Sequence, residues 1–400
     1  MNNAKPYILI AVIVLIAGAI YFINSHSVKR GGLNEAVTVI PRAPSESHVA
    51  EPSPTSSPTI QVKKDAMPSK FLSAEVQSKR YELAKEITTP DGFINTDGKQ
   101  IAINDLIGKK IILVDFWTYS CINCQRTTPY LNAWYEKYKD KGFVIIGVHT
   151  PEFEFEKDYN NVKMAVEKFG IKFPVVLDND FSTWMAYKNQ YWPRKYLINI
   201  DGYIVYDHIG EGGYEETEQK IQEALAERLA ILGESGAIDR SVTKEIPVQG
   251  GARSPETYFG ASRNQFFGNG TPGVSGDQKS LAIPSQLNLN TLYLSGDWSI
   301  TNEFAQNSSL NAGIAYKYVA GSVYFISSAD NETIVEVLRD GKPLGVEAGA
   351  DIIKTVDGKT VVKIKEARLY KIIQGNQSET HTLEFIIQKP GLKAFTFTFG

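Results

Sequence analysis

Residues 111–124 read IILVDFWTYSCINC, an apolar run closed by the only two cysteines in a chain of 400 residues. Ile111, Ile112, Leu113 and Val114 form the continuous aliphatic run of a strand buried on both faces. Beyond Cys124 the spacing changes, and Leu131, Trp134, Tyr135 and Tyr138 fall at i, i+3, i+4 and i+7, one face of a helix. The Cys-Ile-Asn-Cys unit therefore sits where a core strand turns into a helix. The first N–H groups of a helix are unpaired and carry partial positive charge, which favours a thiolate over a thiol at Cys121. Cys124, one turn further in, comes back close enough for a short-loop disulfide. Such a pair supports exchange: thiolate attack, mixed disulfide, then attack by the second sulfur. Asp115 lies inside the apolar strand, where a carboxylate is costly without a task. Buried and partly protonated, it is placed to relay the proton of Cys124.

Two other readings compete. A lone CxxC can form half of a zinc site, but two more ligands are needed, there is no third cysteine, and the five histidines are scattered. A purely structural disulfide is disfavoured because closing so small a loop removes little chain entropy. Redox use is the best reading.

Val114-Asp115-Phe116-Trp117, the CxxC unit and Pro129 together resemble the active-site segment of thioredoxin-fold proteins. Proline inside a helix normally kinks it, and the thioredoxin helix kinks at this place. Trp192-Pro193, ahead of a strand over Lys195–Ile200, fits the cis-proline that faces the cysteines in that fold. The TlpA-like branch is closer still, and within it the soluble C-terminal part of DipZ-type membrane thiol reductases. The segments that carry this are FWTYSCINCQRTTPYLNAWYEKY, GVHTPEFEFE, FPVVLDNDFSTWMAY, YWPRKYLINIDGYIVYDHIGEGGYEETE and, far downstream, PETYFGASRNQFFGN. The resemblance covers roughly residues 85–400. It departs at one point: DipZ-type proteins carry a multi-helix electron-transferring membrane domain ahead of this part, and here one hydrophobic segment is seen.

The length and the 42% hydrophobic content allow two or three domains with real cores. The net charge of −3 is small and no basic run appears, which speaks against nucleic acid. Tyr7–Ile23 is uncharged and apolar, and at ~1.5 Å per residue it spans about 25 Å, at the short end for a membrane helix. Ala17-Gly18-Ala19 resembles a signal-peptide cleavage site. The apolar run continues past it to Ile23, which favours an uncleaved single transmembrane helix over residues 1–24. Lys5 and the amino terminus are matched by Lys29 and Arg30, so flanking charge does not orient it. Residues 25–70, rich in Pro, Ser, Thr and Glu, are too poor in large apolar residues for a core and read as an extended linker.

Residues 71–240 are expected to hold the thioredoxin-like domain. Asn95-Thr96-Asp97-Gly98 marks a turn, read as part of a hairpin leading in. Gly142–Val148 is the second parallel strand, and further strands over 173–177, 195–200 and 203–207 alternate or pair with helices near 162–170, 180–188 and 214–232. Such alternation argues an α/β sheet covered on both faces. Trp117, Trp184, Tyr187, Tyr191 and Trp192 are candidates for an apolar groove holding a partner polypeptide, with core packing the competing reading and the preferred one for Tyr187. His149, Glu152, Glu154 and Glu156 follow the second strand on the cysteine side and read as a solvated acidic loop, ahead of a proton-handling role.

Residues 241–290, rich in Gly, Pro, Ser and Asn, read as a connector whose aromatics Tyr258, Phe259, Phe266 and Phe267 dock on a neighbouring domain. From Thr291 a period near two marks eight or nine strands, with turn signals at Asp340-Gly341 and Asp357-Gly358. Many short strands with regular turns read as an antiparallel, all-β sandwich of jelly-roll type over 291–400. It resembles the carbohydrate-binding-module-like domain attached to DipZ-type thioredoxin parts. Trp298 is a candidate sugar-stacking platform, with a core position the competing reading. Asn307, Asn331 and Asn376 begin weak glycosylation patterns.

Together these features describe a single-pass cell-membrane thiol-disulfide oxidoreductase whose catalytic domain faces outward. Cys121 attacks, Cys124 resolves, Asp115 relays protons, and Pro193, Trp192 and Trp117 shape the substrate groove. The redox element is the Cys121–Cys124 disulfide, with no metal and no further cofactor. Outward orientation follows because a secretion-type signal and a sole CxxC fit a compartment where disulfides form. The resemblance implies a reductase of exported proteins with disulfides, fed by a CcdA-type integral-membrane electron donor and linked to cytochrome c maturation, with glycan as a further candidate ligand. A thiol peroxidase needs a peroxidatic cysteine behind a Pro and Thr pattern and a distant resolving cysteine, and neither is present. The alternative is a cell-surface binding protein whose sandwich holds glycan or protein. Ile122-Asn123 leaves the direction of electron flow open.

Overall fold

The strand that ends just before the cysteines is the centre of a six-stranded sheet. A computed structural model describes residues 60–61, 74–244 and 252–400. The expected anchor over residues 1–24 lies outside them, and among the described residues no helix is long and apolar enough to cross a membrane. In chain order the first region comprises β1 (Ile60–Gln61), α1 (Ala74–Arg80), β2 (Gly92–Ile94), α2 (Ile103–Leu106), β3 (Ile111–Trp117), α3 (Ile122–Tyr138) and β4 (Phe143–His149). There follow α4 (Tyr159–Lys168), β5 (Val175–Leu177), α5 (Ser182–Ala186), β6 (Arg194–Ile198), β7 (Ile204–Ile209), α6 (Tyr214–Leu232) and β8 (Ala237–Ile238). Of the expected linker, β1 is a strand, paired antiparallel with β8.

The sheet order is β2-β5-β4-β3-β6-β7. The β3–β4 and β4–β5 pairs are parallel, while β2, β6 and β7 run antiparallel to their neighbours. The turn at Asn95–Gly98 does not close a hairpin. The Asn95 side-chain amide donates to the carbonyls of Ile171 and Phe173, at 2.9 and 3.1 Å, and ties the turn to the segment ahead of β5, with which β2 pairs. All seven residues of β3 are buried. Ile111, Leu113 and Trp117 face a core shared with Leu131 and Trp134 of α3 and Ile221 and Leu225 of α6. Ile112, Val114 and Phe116 face the opposite core with Ile103, Tyr187 and Tyr196. The two-residue period of a strand therefore sends Asp115 toward α3.

The second region is β-rich. It comprises β9 (Thr257–Tyr258), β10 (Gly276–Leu281), β11 (Leu292–Ile300), β12 (Ala305–Asn307), β13 (Ala312–Ala329), β14 (Thr333–Arg339) and β15 (Lys342–Pro343), then β16 (Ile352–Lys354), β17 (Thr360–Ile364), β18 (Arg368–Ile387) and β19 (Leu392–Phe399). These eleven strands form one hydrogen-bonded set with antiparallel ladders, ordered β10-β11-β12-β19-β13-β18-β14-β17-β16, with β15 on β14 and β9 on β19. It reaches back into the expected connector, since β9 and β10 belong to it. Residues 314–318 and 323–325 belong to one strand, because register shifts at 320–324 do not end β13. The first half of β13 pairs with β11 and its second half with β19. Trp298 is fully buried in this core, its indole N–H given to the Ser295 carbonyl at 2.9 Å, so it offers no platform to a sugar.

An apolar cluster joins the two regions. Ile122 and Phe153 from the first pack with Tyr324, Ile326, Leu369 and Phe395 from the second. The Phe395 ring meets Phe155 and Phe153 edge-on, with centroids 4.8 and 5.2 Å away. Phe259 is buried in the second core, whereas Tyr258 faces the first region, as its docking role required. Phe395→Ala empties the centre of this cluster and is expected to cost about 3–5 kcal/mol. Native-state hydrogen exchange should show lowered protection in both β3 and β19; protection lost in β19 alone would mean that the contact couples nothing.

Candidate active site

Cys121 is the N-cap residue of α3, in an extended backbone conformation, and its sulfur accepts the Cys124 N–H at 3.3 Å. The same sulfur lies 3.9 Å from the Trp192 carbonyl oxygen. Both cysteines are free thiols, Cys121 half-buried and Cys124 2% exposed. Burial pushes the Cys124 thiol well above its ordinary pKa, and the hydrogen bond and charge of Cys121 push it the same way. Pro129 lies inside α3. Near it the Thr127 and Thr128 hydroxyls donate to the carbonyls of Asn123 and Cys124, both at 2.9 Å, and brace the first turns.

Beneath the thiols sits a charge pair that the apolar pattern only half announces. Asp115 is buried, one of its oxygens lacks a hydrogen-bond partner, and burial pushes its pKa up to about 7. Directly across the β3–β6 ladder is Lys195, also fully buried. Its ammonium donates to the Gly210 carbonyl at 3.3 Å. Burial lowers the Lys195 pKa, opposed by the charges of Asp115 and Cys124. Reciprocally, Lys195 draws the Asp115 pKa down against the larger effect of burial. The signal for Lys195 was a cation directly ahead of the apolar run Tyr196–Ile198, two residues after Pro193.

The acidic loop is solvated only in part: Glu154 is exposed and pairs with Lys157 at 2.6 Å, but Glu156 is not. Glu156 is fully buried, and its carboxylate accepts the Ser120 hydroxyl at 2.6 Å, the Ser120 N–H at 3.3 Å, and the N–H groups of Glu152 and Phe153 at 2.6 and 3.0 Å. Burial and the neighbouring Glu152 charge raise its pKa. A 3₁₀ turn over Glu154–Lys157 rotates Glu156 inward. His149 is also buried, and desolvation pulls its pKa down to about 3, so the ring is neutral. Its Nε2 lies 3.5 Å from the Thr118 hydroxyl.

The groove residues divide. The Trp192–Pro193 peptide is cis, Pro193 is buried, and Trp192 donates its indole N–H to the Thr150 carbonyl at 3.0 Å. Trp192 and Tyr191 line a cleft of about 350 Å³ with Cys121. Trp117 does not: it is 3% exposed and stands edge-on to His149, centroids 5.1 Å apart, as part of the core. Tyr187 is likewise core, and Trp184 packs on Trp192 at 4.3 Å without reaching the cleft. The opposite wall comes from the β-rich region, which sequence reasoning had set apart. There Arg263 pairs with Glu152 at 2.7 Å, and Tyr258 donates to the same carboxylate at 2.8 Å.

A dithiol opening at a helix start against a cis-proline is the working arrangement of a thioredoxin-fold oxidoreductase, and sequence comparison points to the same class. Residues 79–225 match the Redoxin family and residues 254–400 the thioredoxin-like C-terminal domain family. DipZ of Mycobacterium bovis is 35% identical over 319 residues, 78% of this chain and 43% of DipZ. The thiol-disulfide oxidoreductase ResA of Bacillus cereus is 37% identical over 132 residues, 32% of this chain and 73% of ResA. Among solved structures, the thioredoxin domain of a Bacteroides vulgatus thiol-disulfide oxidoreductase is 31% identical, with a TM-score of 0.30, over 35% of this chain and 96% of that one. The chain belongs to the DipZ-like family of thioredoxin-fold thiol-disulfide oxidoreductases. It spans less than half the length of the DipZ relatives it matches.

The Asp115 carboxyl is expected to titrate near pH 7, followed by isotope-edited infrared spectroscopy. Lys195→Met removes the cation that favours its ionised form, so the midpoint should move upward. A wild-type midpoint in the ordinary carboxylate range, about 4, or a downward move in the variant, would contradict this account of the site.

Proposed function

We propose that the protein reduces disulfides of exported proteins on the outer side of the cell membrane. The observation that carries this reading is the inequality of the two thiols: Cys121 is half-exposed at a helix start and Cys124 is buried over Asp115. In the forward direction the Cys121 thiolate attacks a substrate sulfur, forming a mixed disulfide and releasing one substrate thiolate. Asp115, ionised, takes the Cys124 proton. The Cys124 thiolate then attacks Cys121, closing the Cys121–Cys124 disulfide and releasing the second substrate thiol. Two electrons have passed to the substrate, and a donor dithiol must restore them. Lys195 stabilises the ionised Asp115, and Pro193 with Trp192 bounds the place where the substrate sulfur arrives.

The wider setting is part of the same proposal. Residues 7–23 supply a membrane span, most of residues 25–70 the spacer, and a CcdA-type membrane protein the electrons. Apocytochromes c are candidate substrates. The β-rich region is a jelly-roll-type sandwich, and a glycan is a further ligand for it. Support comes from the apolar N-terminal run, the resemblance to DipZ-type proteins and the strand pattern.

Cys124→Ser should strand the enzyme as mixed disulfides with its partners, visible as reductant-sensitive bands of high mass, whereas Cys121→Ser should trap almost none. Equal trapping by both variants would refute the assignment of nucleophile, and a trapped set of cytosolic proteins alone would refute the orientation. Asp115→Asn should slow turnover near neutral pH about 100-fold, the usual scale of a lost proton acceptor, with the fold intact by circular dichroism. A rate within twofold of wild type would remove Asp115 from the mechanism.

A further inference from the structure

Cys121 does not open onto free surface. Its cleft is walled on one side by Asn123, Tyr191 and Trp192, and on the other by Tyr258, Thr398 and Phe399 of the β-rich region. We propose that this second wall is a substrate-binding element, and that the cleft takes a single extended segment of polypeptide carrying the target disulfide, in preference to the same disulfide on a folded surface. The proposal rests on the exchange reaction at Cys121 described above and names the form of its substrate.

Three observations support it. The first is the cleft's size: about 350 Å³ lies at the lower end of the range for ligand sites. An extended chain rises only about 3.3 Å per residue, so a few residues fit between the walls, whereas a globular surface meets the second wall before its sulfur reaches Cys121. The second is that the wall is held in place on several sides of the CxxC unit. Ile122, between the cysteines, is 7% exposed and packs with Tyr324 and Ile326. Arg126, two residues past Cys124, donates to the Tyr324 hydroxyl at 3.1 Å, and Tyr119 donates to the Ala367 carbonyl at 3.1 Å. The Arg263–Glu152 pair closes the remaining side at 2.7 Å.

The third observation is chemical. Thr398 lines the cleft and is 6% exposed, and its buried side-chain oxygen has no hydrogen-bond partner. Buried polar atoms are rarely left in that state without a reason. A hydroxyl both donates and accepts, and so does each peptide unit of an extended chain. Across the cleft the Trp192 carbonyl lies 3.9 Å from the Cys121 sulfur. Glu152 is paired with Arg263 and Glu256 accepts the Tyr258 hydroxyl at 2.7 Å, so both carboxylates that line the cleft already have partners.

The test uses the full chain, recycled with dithiothreitol, on three substrates. One is a linear peptide whose central cysteine is held in a mixed disulfide with glutathione; the second is that segment displayed within a folded carrier domain; the third is a small aromatic disulfide. Wild type should reduce the linear peptide with a kcat/KM at least tenfold above that for the folded display. Thr398→Val should raise KM for the linear peptide about tenfold, the scale of one hydrogen bond, and lower its preference over the aromatic disulfide by the same factor, while Thr398→Ser restores both. Equal rates on the linear and folded forms, or a Thr398→Val variant with unchanged KM and preference, would overturn the inference and leave the exchange reaction standing. Reduction of none of the three substrates would instead overturn the exchange reading, and this inference with it. A disulfide-free copy of the linear peptide should inhibit competitively; inhibition by cellohexaose and not by that peptide would mark the cleft as a sugar site and refute the proposal.

Discussion

Four donors converge on one buried carboxylate, Glu156, and both walls of the active site depend on it. A carboxylate taken out of water is costly unless its lone pairs are satisfied. Here the Ser120 hydroxyl and N–H and the N–H groups of Glu152 and Phe153 satisfy them. Ser120 is the residue before Cys121. Glu152 carries the ion pair to Arg263, and Phe153 packs on Phe395. One side chain thus fixes the approach to the nucleophilic thiol and the loop on which the β-rich region docks. Movement of either is transmitted to the other through bonds of 2.6–3.3 Å.

Below that frame lies an electrostatic unit that titrates together. Asp115, Lys195 and Cys124 are all buried, and each one's charge alters the cost of the others'. Apparent pKa values in such a set belong to the group and not to single residues. Because Lys195 sits on β6 and Asp115 on β3, the antiparallel ladder sets their spacing, and no loop movement alters it.

Much of this was legible in the sequence because it is local. An aliphatic run followed by a 3.6-residue period places Cys121 at a helix start, and the X-Pro step at Trp192-Pro193 is where the cis peptide occurs. What escaped depends on pairings across the chain or on a change of period. Glu156 turns inward because an alternating run becomes a 3₁₀ turn. Lys195 acquires its meaning from the strand opposite. Strands β13 and β18 run on past residues near 320 and 374, where the two-residue rhythm shifts without ending the ladder. Ile122 read as a spacer between cysteines, since nothing nearby in sequence says that Tyr324 and Ile326 will cover it.

The seam around Ile122 also has a consequence in time. Its partners on the far side, from Tyr324 to Phe395, are synthesised well after Ile122, Phe153 and Phe155. Roughly 160 residues separate Ile238, the end of the first region, from Phe395, and at about 5–20 residues per second they take on the order of ten seconds to emerge. For that interval the nascent thioredoxin-like half carries an uncovered apolar face beside two reactive thiols.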